Sequence, residues 1–303
     1  MKASRTKYTF PIIAAIIGLL FSASLFSGPL GLFSGRGHGD ASTSDNTVTA
    51  PGVTTESYDG RNILVFAPSQ LPAKGVRPLV IVLHGGLGSA EHIEGDGAEK
   101  ALSMDTVAAK NGFIVAYLNG TVATRRFGAD RLAWNAGGGC CGQPAANNVD
   151  DVGYISGAIN FLVSKYGVDP KHIYGMGHSN GAMMTQRLMC ETNLYAAAVV
   201  ISGPLNTKTS NCPSPRGKHI LAIHGAEDEN VPIAGGQGTQ GMSKASYNSE
   251  AYTQQVYANS GADYRLQIVQ GADHKVENLN GRIMQTEGIS IAEKAARFFG
   301  LAK

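Results

Sequence analysis

The sequence predicts an α/β domain with a mainly parallel central sheet and helices on both faces. Three observations carry this. Strand-like and helix-like segments alternate along most of the chain. Several strands are unbroken apolar runs, such as Pro78–Leu83, which suits strands covered on both faces. Tyr174–Ala182 reads as a strand end, a Gly-x-Ser-x-Gly turn around Ser179, and a helix start.

The chain has 303 residues, 43% hydrophobic and 16% charged, enough for one large domain with a sizeable core. The net charge of +2, with Lys and Arg clustered only at the extreme N-terminus, gives no reason to expect nucleic acid as a partner. That N-terminus is distinctive. Lys2, Arg5 and Lys7 precede an apolar run from Tyr8 to about Leu20, followed by small residues. Residues 1–27 therefore read as a secretory signal peptide, with an uncleaved membrane anchor as the rival. The expected location is secreted or periplasmic, with membrane contact only through this segment if it is retained. Residues 28–56 are rich in Gly, Ser, Thr, Asp and Asn and read as a linker. The folded domain is expected over residues 57–303.

Within it, strands are expected at Arg61–Phe66, Pro78–Leu83 and Phe113–Tyr117, with a helix over Ala98–Lys110 capped at Asn111-Gly112. A long glycine-rich excursion, 121–147, holds the lone tryptophan, Trp134. Asn148 is expected to cap a helix whose core-facing stripe is Val152, Ile155, Ile159 and Leu162. After the serine turn come a helix carrying Met183, Met184 and Leu188 inward, and strands Ala196–Ile201 and His219–His224. Helix Glu250–Asn259, strand Tyr264–Val269 and a final helix near Ile289–Phe299 complete the reading. The four cysteines fit an exported protein. Cys190 and Cys212 fall near one sheet edge, and Cys140 and Cys141 are adjacent. Three connectivities stay open, and a zinc site is the rival, though the adjacent pair lacks Cys-x-x-Cys spacing. No cofactor or metal is expected.

Serine is a weak nucleophile and needs a base that a third group orients. With the serine on a strand-to-helix elbow, the expected chain order is serine, acid, histidine. Of eight histidines, that order leaves His274, after the last strand. Asp228, four residues past the strand ending at His224, is the preferred acid over Glu227 and Glu229. The expected catalytic set is thus Ser179, Asp228 and His274. For the oxyanion, the Asn180 N–H is one donor and Gly86 or Leu87 supplies the other. His84 reads as structural, its ring tying the loop down. Trp134 and His178 are candidate substrate-binding residues, with Trp134 equally readable as a core aromatic. The stretch 234–249 is a second candidate cleft wall.

Five segments in one order also carry a resemblance: LHGG (83–86), WNAGGGCCG (134–142), VDDVGYI (149–155), GHSNGAMM (177–184) and HGAEDENVP (224–232). Together they resemble the secreted α/β-hydrolase esterases grouped with polyhydroxybutyrate depolymerases and feruloyl/acetylxylan esterases. The resemblance implies an α/β-hydrolase fold, a Ser-Asp-His triad and hydrolysis of carboxylic esters through an acyl-enzyme. Gly86 stands where the depolymerases usually carry cysteine, and Lys275-Val276-Glu277 where they tend to carry Trp-Pro-Gly. These departures point to a small or oligomeric ester, either a feruloyl or acetyl ester of plant cell-wall polysaccharide or a hydroxyalkanoate oligomer. Polymer depolymerisation, a serine peptidase of the same fold and an inactive binding protein are the alternatives.

Overall fold

The computed structural model describes residues 52–95, 97–126, 129–240 and 245–303. The chain divides into 1–46 and 47–303; the expected signal peptide and most of the expected linker lie outside the described residues.

Eight strands form the central sheet, in the order β1 (Val53–Tyr58), β2 (Arg61–Phe66), β4 (Ile114–Leu118), β3 (Arg77–Leu83), β7 (Val168–His178), β8 (Ala197–Ile201), β9 (His219–Gly225), β12 (Asp263–Val269). β1, β2 and β4 pair antiparallel, and every later neighbour in the sheet is parallel. Two short ribbons lie outside it, β5/β6 (Thr121–Arg126 with Ala129–Ala133) and β10/β11 (Gly236–Gln237 with Ser246–Tyr247). The apolar runs behave as the period-2 geometry requires. On β3, Leu79, Ile81 and Leu83 enter one core while Val80 and Val82 enter the other.

The first core is covered by α4 (Asp151–Tyr166), α5 (Asn180–Glu191) and α6 (Glu250–Asn259), through residues such as Ile155, Ile159, Leu188 and Tyr257. The second is covered by α1 (Ala90–Glu94), α2 (Asp105–Asn111), α7 (Val276–Glu287) and α8 (Ile291–Phe298), through Ile93, Ala108, Leu279 and Ala295. A fully buried Leu or Ile side chain contributes roughly 1.5–3 kcal/mol, so the two faces together supply most of what holds the sheet in place. Among the described residues, no helix is long and apolar enough to cross a membrane.

Several expectations need correction. The ordered domain begins before Ser57. Val53–Glu56 pair with Ile63–Phe66, because the β-branched Val53, Thr54 and Thr55 suit an edge strand despite the polar composition around them. The helix expected over Ala98–Lys110 is broken: a 3₁₀ turn at Lys100–Leu102 ends at extended Ser103, and α2 starts at Asp105. Gly112 closes α2 at φ 74°, the left-handed position where glycine carries no Cβ penalty. Asp150, not Asn148, caps α4, its carboxylate accepting from Gly153 N–H. Helices α7 and α3 (Gly142–Ala146) were not foreseen. All four cysteines are in disulfides, Cys140–Cys141 and Cys190–Cys212, so none is left as a zinc ligand. The second joins the end of α5 to the loop before β9 across 22 residues. In the chain-entropy view such a bridge stabilises by about 3 kcal/mol.

Candidate active site

β7 ends at His178, and Ser179 follows at φ 53°, ψ −119° before α5 begins. A non-glycine residue held there costs on the order of 1–3 kcal/mol, and the packing around it enforces the turn. A Cβ on Gly181 would run into the Leu83 and His84 carbonyls, so only glycine lets α5 approach β3 this closely. The elbow raises the hydroxyl over the C-terminal ends of β3, β7, β8 and β9, where the loops of a parallel sheet gather.

The loops after β9 and β12 bring two side chains to it. His274 Nε2 lies 2.9 Å from Ser179 Oγ, and His274 Nδ1 lies 2.7 Å from Asp228 Oδ2. An ionised carboxylate only accepts, so Nδ1 carries the proton and Nε2 offers its lone pair to the hydroxyl. Burial depresses the His274 pKa, and the nearby His178 and His224 push it the same way against the pull of Asp228. Asp228 is held well below the ordinary carboxylate range. Burial would raise it, but His224, His274 and the Val231 N–H outweigh that. Its other oxygen, Oδ1, accepts from the Asn230 and Val231 N–H groups at 2.9 and 2.8 Å.

Of the expected oxyanion donors, two remain. Asn180 opens α5, where N–H groups lack intrahelical acceptors. Its side chain is fixed, Oδ1 accepting from Trp134 N–H at 2.7 Å and Nδ2 donating to Trp134 O at 3.0 Å. Gly86 packs against it, a Cβ there falling 3.7 Å from Asn180 Cβ. Leu87 is a correction: its N–H donates to Leu132 O at 2.6 Å and is not available. His84 is neutral and tied down, with Nδ1–H donating to Gly85 O at 2.7 Å and Nε2 accepting from Gly120 N–H at 3.1 Å.

A cleft of about 940 Å³ opens over Ser179, walled by Leu87, Arg131, Cys141, Val231, Tyr247 and Val276 among others. Tyr247, Gln240 and Ala245 come from the stretch 234–249. Of the two expected substrate-binding rings, Trp134 needs correction. Trp134 is fully buried, donates Nε1–H to His84 O at 3.0 Å and stacks against Tyr154, away from the cleft. His178 borders the cleft, but both ring nitrogens are taken: Nδ1 faces Glu99 Oε1 at 2.6 Å and Nε2 faces the His274 carbonyl at 2.9 Å.

Two buried carboxylates were missed. Glu99 binds His178 and accepts from Gly85 N–H at 2.8 and 3.1 Å. Glu250 faces His224 Nδ1 at 2.8 Å and accepts from Tyr264 OH at 2.5 Å. His224 Nε2 in turn faces Val231 O at 2.8 Å and Asp228 Oδ2 at 3.2 Å. Only the apolar-periodic sequence around them was readable; neither glutamate sits in a motif.

An elbow serine over a mostly parallel sheet flanked by helices defines the α/β-hydrolase fold. Residues 69–279, more than half of the chain, match the phospholipase/carboxylesterase family; the chain belongs to that family. It is 31% identical over 180 residues to feruloyl esterase B of Piromyces equi, covering 58% of this chain and 31% of that protein. It is 28% identical over 163 residues to feruloyl esterase B of Talaromyces stipitatus, covering 52% and 41%. The chain therefore spans less than half the length of either. Among solved structures, the apo form of Thermogutta terrifontis esterase 2 superposes with a TM-score of 0.56 at 15% identity, covering 84% of this chain and 97% of that one.

Proposed function

We propose that this chain is a secreted serine esterase that hydrolyses carboxylic esters through an acyl-enzyme. Ser179 Oγ attacks the ester carbonyl as its proton passes to His274 Nε2. Asp228 holds the ring and the charge it gains. The oxyanion sits between the N–H groups of Asn180 and Gly86; removing one such donor costs about 3 kcal/mol of barrier. Collapse returns the proton to the leaving alcohol oxygen, and water then releases the acid by the same steps in reverse. The observation that carries the reading is the continuous set of contacts, 2.9 Å from Ser179 to His274 and 2.7 Å from His274 to Asp228, with Ser179 and His274 lining the cleft.

Feruloyl or acetyl esters, or hydroxyalkanoate oligomers, are the proposed substrates; the two feruloyl esterase relatives favour the first. Export is supported by the N-terminal sequence pattern and by the two disulfides. Thermogutta terrifontis esterase 2 is phosphorylated by paraoxon, which makes that organophosphate a suitable probe. It should label Ser179 of the folded protein, and Ser179→Ala should lose turnover of p-nitrophenyl acetate by a factor on the order of 10⁴ or more while keeping the wild-type Tm. Label on another residue, or turnover surviving in Ser179→Ala, overturns the assignment.

A further inference from the structure

The Glu99–His178 pair does something the nucleophile, base and acid do not explain. His178 lies between two groups that only accept: the Glu99 carboxylate and the His274 carbonyl oxygen. Satisfying both requires both ring protons, so the ring is an imidazolium. Glu99, with its side chain only 10% exposed, is its counter-ion and also receives the Gly85 N–H. The link therefore runs from the turn carrying Gly86, through Glu99 and His178, to the backbone of His274. It joins segments 79 and 96 residues apart in sequence. A Cβ on Gly85 would collide with Glu99, so the contact is built closely on both sides.

We propose that Glu99 and His178 are a positioning pair, an imidazolium–carboxylate bridge that holds the oxyanion turn and the His274 loop in fixed register. The proposal rests on the reading of Ser179 as nucleophile. The bridge has an electrical consequence as well. The His178 and His274 rings stand 5.0 Å apart between centroids. Burial would lower the His178 pKa, yet the Glu99 hydrogen bond and charge, the His274 carbonyl and Asp228 raise it overall. Glu99 shifts down in return, its burial outweighed chiefly by His178, with the Gly85 N–H acting the same way. The resulting cation opposes protonation of His274, which Asp228 favours and His224 also opposes. The base is thereby kept neutral and able to accept a proton.

The test combines kinetics and spectroscopy on the full-length protein. In Glu99→Gln and His178→Gln, kcat for p-nitrophenyl acetate should fall about 10–100-fold, the scale of a misplacement near 1 Å, with KM changed much less. In His178→Gln the acid limb of kcat/KM should move to higher pH, because the cation beside His274 is lost. Folded variants with wild-type kcat and an unmoved acid limb would overturn the proposal. If the variants do not fold, ¹⁵N spectra of the wild-type histidines decide. His178 should be doubly protonated at pH 7 while His274 is neutral, and a neutral His178 sinks the idea. Paraoxon labelling of Ser179 in the wild type separates this outcome from failure of the esterase reading, which would leave Ser179 unlabelled.

Discussion

Two buried imidazole–carboxylate pairs flank His274, and they are built into different parts of the molecule. Glu99–His178 borders the cleft, and what it holds are loop backbones: Gly85 N–H on one side and His274 O on the other. Glu250–His224 is sealed off, with side chains 2% and 1% exposed. What it holds are secondary-structure elements: His224 belongs to β9, Glu250 to the first turn of α6, and Tyr264, which donates to Glu250, to β12. The second pair meets the proposed catalytic side chains at Asp228 Oδ2. Chemically alike, the pairs should differ in what fails when they are broken. The cleft pair should cost turnover, and the sealed pair should cost stability first.

The largest effect expected is on the sealed side. Glu250→Ala leaves an imidazolium in an apolar interior with Asp228 as its sole remaining anion, and breaking a buried pair in this way typically costs about 3–5 kcal/mol. Chemical denaturation should show that loss, exceeding the loss in Glu99→Gln. If Glu99→Gln proves the more destabilising, the contrast between the pairs is wrong.

Titration distinguishes them next. Burial would lower the His224 pKa, but hydrogen bonds to Asp228 and Glu250 push it up to about 9. A histidine whose folded pKa is raised contributes stability fully below its unfolded value of about 6.5, and that contribution is lost as pH rises through the folded value. The Tm should therefore decline between about pH 6.5 and 9. In His224→Gln, where that proton is absent from both states, the decline should be shallower. His274 has the opposite sign, its pKa being depressed. The acid limb of kcat/KM should therefore be centred below the ordinary histidine value of about 6.5. A limb centred at or above about 6.5 would show that burial and the surrounding cations do not outweigh Asp228.

The same contrast explains which parts of the site could be read from sequence. Ser179, Asp228 and His274 were accessible because each follows a strand in a fixed chain order, and a parallel sheet delivers all three strand ends to one edge. Their supports were not. Glu99 reaches His178 across 79 residues, and nothing local distinguishes it from the solvated carboxylates around it. Leu87 was a reasonable oxyanion donor until Leu132, on a hairpin whose docking no local pattern encodes, accepted its N–H. Sequence could put His178 in the elbow and offer Trp134 as a cleft wall or a core aromatic, but not say which way either ring faced. His178 turned inward because Glu99 and His274 O offered it two acceptors, and Trp134 because His84 O offered it one.

The smallest effect expected falls on that tryptophan. Trp134 sits at the root of the excursion whose later residues Gly139, Cys141 and Gly142 wall the cleft, while its own ring lies in the core with His84 and Tyr154. Trp134→Phe keeps an aromatic ring but removes Nε1–H, leaving the buried His84 carbonyl short of a donor. That should cost about 1–3 kcal/mol, the usual penalty for an unsatisfied buried group. Because no part of the ring lines the cleft, the ratio of kcat/KM for methyl ferulate to that for p-nitrophenyl acetate should stay at the wild-type value. A changed ratio in a folded Trp134→Phe protein would mean that the excursion reads the acyl group through its core anchor, and substrate choice would then depend on packing beneath the cleft as well as on its walls.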